Sequence, residues 1–195
     1  MAGFITYWPK EQIRELKKNK DNGPIQVVFG SIHTKMPSIK CVKEGDVIYP
    51  VTVSDGTLCV VARLPVEKIE PAYEYLVREL GNPCGALIPE DKDWNWREYY
   101  GKVPVKPHSC HQSPFNCCSE TAAVSTHGSS IELRPIPKEK LPQLMFGPTK
   151  AKQKPMLLDK NGSPKVISIS SNVRKMSEET QELFDSLFLL HRKLL

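Results

Sequence analysis

The residues best suited to chemistry stand close together in His108-Ser-Cys-His-Gln-Ser-Pro-Phe-Asn-Cys-Cys. Within eleven residues the chain offers His108, Cys110, His111, Cys117 and Cys118. Zinc needs four such donors in a tetrahedron. The candidate set is His108, Cys110, His111 and Cys117, because adjacent Cys117 and Cys118 point in different directions and only one of them could join a site. No cofactor is expected and no metal is favoured; zinc is the one that this donor set could hold. The same stretch also suits a nucleophile. Ser113 could cap a helix with Pro114 in its first turn, and Ala122 and Ala123 would favour its continuation. Cys117 would then lie near a positive helix end, where His111 could help form the thiolate. Cys117 and His111 are thus the candidate catalytic pair. Asn116 and Glu120 are the local candidates for an orienting third group. The plain alternative is that these cysteines pack on a buried helix.

A second group of residues suits nucleic acid. Trp94, Trp96, Tyr99 and Tyr100 are interleaved with Lys92, Arg97 and Lys102. Aromatic rings stack bases and cations neutralise phosphates; the alternative for these rings is a core face of a helix. From Arg134 to Lys165 there are eight basic residues against two acidic ones, and Arg134, Lys150, Lys152 and Lys154 are the candidate phosphate contacts. A smaller basic group is Arg14, Lys17, Lys18 and Lys20. Phe146-Gly-Pro-Thr-Lys lacks the Gly-Lys-Ser/Thr ending of a P-loop, so nucleotide hydrolysis is not indicated.

These groups need a scaffold, and 195 residues with 39% hydrophobic and 25% charged content suffice for a single core. The net charge is +5. No apolar run is long enough for a membrane helix, so no membrane partner is expected. The first twenty residues hold no apolar stretch of signal-peptide type, which makes the cytosol the expected compartment. The six cysteines contain no C-x-x-C and no secreted-scaffold density, so disulfides are not the expectation. Cys41 and Cys59, beside apolar runs, read as small buried side chains.

Turn residues divide the rest. Pro9 to Lys20 predicts a helix stopped by Asp21-Asn-Gly-Pro. Ile25 to Phe29 predicts a strand. Asp46 to Val53 and Thr57 to Leu64 predict a hairpin across Ser54-Asp-Gly. Pro50 cannot donate to a ladder, which predicts an edge strand or a bulge there. Pro71 to Leu80 predicts a helix ended by Gly81. Ile131 to Arg134 reads as a short strand and Pro137 to Leu144 as a short helix. Met156 to Leu158 and Val166 to Ile169 predict a second hairpin across Asp159-Lys-Asn-Gly. Ser177 should cap a final helix with an apolar stripe of Leu183, Phe184, Leu187, Phe188 and Leu190. The expected fold is α+β in one domain, 1–195. It would hold a small, mainly antiparallel curved sheet or barrel with flanking helices. Residues 102–128 form an insertion and 177–195 an amphipathic C-terminal helix.

The run Ile25-Gln-Val-Val-Phe-Gly, the turn Lys43-Glu-Gly-Asp leading into Val47-Ile-Tyr, and Leu58-Cys-Val-Val-Ala-Arg-Leu resemble the opening of PUA-like domains, the group holding the ASCH and EVE families. Leu133-Arg-Pro-Ile-Pro-Lys-Glu-Lys-Leu resembles a closing strand and short helix of such domains. The resemblance covers about half of the chain and leaves out residues 102–128 and the last helix. It implies a small PUA-like β-barrel that binds RNA, DNA or a modified base, and no catalytic activity. Three functions follow from the residues. The first is a module binding RNA or single-stranded DNA through basic and aromatic side chains. The second is a cysteine- or metal-dependent enzyme centred on His108 to Cys118. The third is a protein-interaction module of immunity type that uses the last helix on a protein partner.

Overall fold

Short β-rich runs punctuated by proline and glycine can bury their apolar faces only by pairing in sheets, and helices then cover what remains. The computed structural model describes residues 1–31, 38–87, 110–115, 119–147, 149–170 and 173–189. It is α+β. Strand β1 (Gly3–Tyr7) leads into helix α1 (Lys10–Lys18), followed by β2 (Val27–Ser31), β3 (Val47–Ser54), β4 (Thr57–Val60), β5 (Leu64–Pro65) and β6 (Lys68–Pro71). Helix α2 (Ala72–Leu80) precedes β7 (Ser119–Val124) and β8 (Arg134–Pro135). Then come β9 (Met145–Gly147), β10 (Lys154–Pro155), β11 (Arg174–Met176) and helix α3 (Glu178–Leu189).

The larger sheet runs β10-β9-β11-β1-β3-β4-β8, with β5 also pairing β3. The smaller one runs β2-β7-β6. The strands pair mainly antiparallel, as expected, and one pair differs: β1 and β3 are parallel, with Gly3 opposite Val47 and Tyr7 opposite Val51. The large sheet is therefore mixed. Alternation along β3 explains the layering. Val47, Tyr49, Val51 and Val53 face a core closed by α3, whereas Ile48 faces a core shared with α1 and the small sheet. The other side of the small sheet, including Val27, Phe29 and Ala122, packs on Tyr75 and Leu76 of α2.

Both N-terminal helices form where the sequence places them, and Gly81 ends α2 in the left-handed region at φ 64°. Pro50 lies in an interior strand, not at an edge, and of the two expectations the irregular one holds: the register on that side shifts by one residue between Ile48–Leu64 and Val51–Val60. The missing N–H falls in the gap where β4 has ended and β5 has not begun: β4 pairs with Val51 to Ser54 and β5 with Val47 and Ile48. The Pro50 carbonyl still accepts from the Val61 N–H at 2.8 Å.

The helix expected to run from Ser113 through Ala122 and Ala123 is a correction, because residues 119–124 are strand β7. It is held on both sides, with Ala122 opposite Phe29 on β2 and opposite Glu70 on β6. Two rows of ladder bonds outweigh the helical preference of alanine, and small side chains let the sheet pack closely. The second expected hairpin forms only its turn. Asp159 Oδ1 accepts from the N–H groups of Asn161 and Ser163 at 2.8 and 2.9 Å. Beyond the single bridge Leu158–Pro164 no ladder follows, and Val166–Ser168 is a 3-10 turn. Pro155 and Pro164, flanking the turn, have no N–H to give. Cys59 is buried as expected, but Cys41 is exposed, in the turn after Ile39.

Ser177 caps α3, its Oγ accepting from the Thr180 N–H at 3.2 Å. Phe184 is wholly buried and meets Tyr49 edge-on at 5.6 Å and Phe146 at 6.4 Å. Asp185 fixes the helix from its side, accepting from the Tyr49 hydroxyl and from Arg63 Nε, both at 2.7 Å. The apolar stripe of α3 thus packs on its own chain; Leu190 lies outside the described residues. Phe184→Ala should cost about 3–5 kcal/mol of stability. Urea unfolding measures that loss, and sedimentation should show an unchanged oligomeric state.

Candidate ligand-binding cleft

The described part of the cysteine and histidine stretch, residues 110–115, packs against the end of α1 and the start of β2. Its anchor is a pair unforeseen by local reading. Asp21, just beyond α1, accepts from the His111 backbone N–H at 2.5 Å. Its two carboxylate oxygens lie 2.9 Å from His111 Nδ1. Asp21 also receives the Gly23 N–H at 3.1 Å. His111 is 8% exposed, and its Nε2 is buried with no hydrogen-bond partner among the described residues. Burial opposes the charge on Asp21, but the N–H groups of His111 and Gly23 and the imidazole together hold its carboxyl below the ordinary value.

His111 forms part of the wall of a cleft where the end of β1 and the first turn of α1 meet β2. Thr6, Tyr7, Trp8, Pro9 and Gln12 supply one side, and Val27, Phe29, His111 and Phe115 the other. The cleft is narrow, with about 20 Å³ of free space, room for roughly one water molecule. The local sequence explains this arrangement. Pro9 turns the chain from β1 into α1, and the Trp8 N–H bonds to the Val51 carbonyl at 2.8 Å, which fixes Trp8 beside the sheet. Burial and the nearby Glu11 charge push the Tyr7 hydroxyl upward, so it stays protonated and able to donate. Around the cleft Trp8, Phe29 and His111 are buried, while Tyr7 and Phe115 are partly exposed.

Of the residues singled out in the sequence, His111 is at this cleft. Cys110 is its neighbour, half-buried; burial pushes its thiol up, against the backbone N–H groups of Gln112 and Ser113. Cys117, Cys118, His108, Asn116, Trp94, Trp96, Arg97 and the remaining residues of the aromatic cluster lie outside the described residues. Glu120 is in β7, where it pairs with Lys40 at 2.9 Å and not with His111. Among the described residues no three His, Cys, Asp or Glu side chains converge as metal ligands.

The basic candidates fall into two kinds. Arg134 is buried, and its guanidinium serves the fold. Nη1 donates to the carbonyls of Val61, Ser130 and Glu132 at 3.3 Å, and the group lies 4.4 Å above the Phe188 ring of α3. Nη2 donates to Ser130 Oγ at 2.8 Å and to the Glu132 carboxylate. Lys152 and Lys154, by contrast, are exposed, and Lys150 opens the same 3-10 turn, Lys150–Lys152. Gly147 admits this turn against β9: a Cβ there would stand 2.4 Å from the Lys152 carbonyl oxygen.

Tyr7, Trp8, Phe29, Phe115 and Asp21 are the site residues that the sequence reading missed. Asp21 read only as part of a helix stop, and nothing in its neighbourhood signals a partner ninety residues away. Compared with protein-family models and with curated proteins, the chain matches none.

The Asp21 contacts have a pH consequence. Because its folded value is lowered, Asp21 contributes stability fully above its unfolded value of about 3.9, and loses it as pH falls through the folded value. Asp21→Asn should therefore flatten the acid limb of stability. Urea midpoints followed from neutral pH down to about pH 3 should fall less in the variant than in the parent protein.

Proposed function

We propose that the protein is a nucleic-acid-binding module that stacks an unpaired base on the partly exposed rings of Tyr7 and Phe115 and meets the phosphate backbone with exposed lysines. One observation carries this reading. Tyr7 and Phe115, both partly exposed, border the same narrow cleft beside the buried Trp8, Phe29 and His111. Aromatic faces stack any base. The exposed Lys152 and Lys154 supply the sequence-independent attraction. The PUA-like resemblance belongs to the same proposal. Its segments supply β2 and β3 and include Phe29 of the cleft wall. A PUA-like barrel would be the corresponding architecture, with RNA or single-stranded DNA as the partner class.

Binding of an RNA oligomer should weaken steeply with salt, which a fluorescence-anisotropy titration at several salt concentrations measures. Replacing Lys150, Lys152 and Lys154 with glutamine should reduce the slope of log affinity against log salt by about 2, at roughly 0.7 per phosphate contact in a single strand. Binding unchanged at high salt, or no binding at low salt, would overturn the proposal. Phe115→Ala should weaken binding by about 1–3 kcal/mol while leaving the salt slope in place.

A second reading rests on the Asp21–His111 pair, since a carboxylate on Nδ1 is how a histidine base is oriented for a nucleophile. Under it Cys117 would be the nucleophile. Iodoacetamide should then modify Cys117 at pH well below the ordinary thiol value of about 8.5, and His111→Phe should abolish that reactivity. If Cys117 reacts only above that value, this reading falls.

A further inference from the structure

We propose that the loop over residues 152–167 docks on an anionic lipid surface, with Leu157 and Ile167 entering the interface and Lys152, Lys154, Lys160 and Lys165 meeting the headgroups. Alternation builds this face. The Lys165 N–H donates to the Leu157 carbonyl at 2.9 Å, and the neighbouring bridge Leu158–Pro164 sets the two arms of the loop opposite each other. Met156, Leu158, Pro164 and Val166 turn inward, and three of them pack on the core closed by α3. Leu157, Lys165 and Ile167, at the alternate positions, turn outward. Leu157 is 56% exposed and Ile167 75%. Of the five large apolar side chains that stand exposed among the described residues, these two share one short loop. Single exposed side chains need no explanation, whereas a pair among cations does. The four lysines are exposed, and none forms an ion pair with another described residue. Asp159 is the acidic residue of the loop, and its Oδ1 already accepts the N–H groups of Asn161 and Ser163. The β3–β4 turn lies against Ser163 and brings Asp55 to the flank, so cations outnumber acids four to two.

An anionic bilayer matches that combination, because it carries negative charge at its surface and apolar volume just beneath. A phosphate backbone in water offers the charge without the apolar volume. No helix among the described residues is long and apolar enough to cross a membrane. This contact needs none, and it is reversible, since two short side chains and a basic patch anchor far more weakly than a span. It stands apart from the base-binding reading and shares with it only the lysines next to the Lys150–Lys152 turn.

Co-sedimentation with vesicles tests the inference. One set is phosphatidylcholine alone, and the other carries about one third phosphatidylserine. The protein should bind the mixed vesicles on the order of tenfold more tightly than the neutral ones, and rising salt should release it. Replacing Lys160 and Lys165 with glutamine leaves the lysines of the RNA titration in place. It should lower vesicle affinity by about fivefold for each lysine removed. Leu157→Ser combined with Ile167→Ser should lower it on the order of tenfold while leaving the salt dependence as it was. Both variants should keep the melting temperature of the parent protein, because the side chains replaced are exposed. No binding to the mixed vesicles, or equal binding to both kinds, overturns the inference. A double serine variant that binds as the parent does also overturns it, since the lysines then serve a polyanion in water and the aliphatic pair serves nothing. The vesicle experiment contains no RNA and the RNA titration no lipid, so each reading fails on its own.

Discussion

Strand β3 has no solvent face, and the rest of the molecule is arranged by that constraint. Its edges are taken by β1 on one side and by β4 and β5 on the other. Its faces are taken by two separate cores, with Val47, Tyr49, Val51 and Val53 on one side and Ile48 on the other. A strand enclosed in this way must read as a nearly continuous apolar run, which Val47-Ile-Tyr-Pro-Val does. One enclosed strand then obliges two covering layers. Helix α3 covers one side, and α1 with the small sheet covers the other. The cleft lies at the seam of the second layer, where β1 gives way to α1.

The placement of the candidate site follows from that seam. Trp8 is held by the Val51 carbonyl, so the cleft wall is an extension of the β1–β3 ladder. His111 arrives from far along the chain and is fixed by Asp21 at the end of α1. The lysine turn at Lys150–Lys152 is held in another way, by a glycine that lets two backbones approach. Electrostatic attraction to a polyanion asks less precision of its side chains than a hydrogen bond does.

What the sequence made legible was whatever is decided by neighbours. The Pro9 and Gly81 boundaries, the Ser54-Asp-Gly hairpin and the Ser177 cap all depend on a few adjacent residues, and all formed. Reading failed where distant partners decide. Ala122 and Ala123 look helical alone and become strand because β2 and β6 flank them. Pro50 looks like an edge marker and is interior because a gap between two partners tolerates it. Arg134 looks like a surface cation and is buried because carbonyls and the Phe188 ring accept it. His111 was visible as a reactive residue, but its carboxylate partner was not. The aromatic residues of the cleft come from three separate segments that no spacing rule connects.

The bond between Tyr49 and Asp185 spans 136 residues of chain. A ribosome adding about 5–20 residues per second would deliver Tyr49 roughly ten seconds before Asp185. During that interval the face of β3 that carries Tyr49 has no helix to lie under. The nascent protein thus emerges with an aromatic surface awaiting cover, and its vulnerability to misassociation ends only when α3 leaves the exit tunnel and closes over Tyr49 and Phe146.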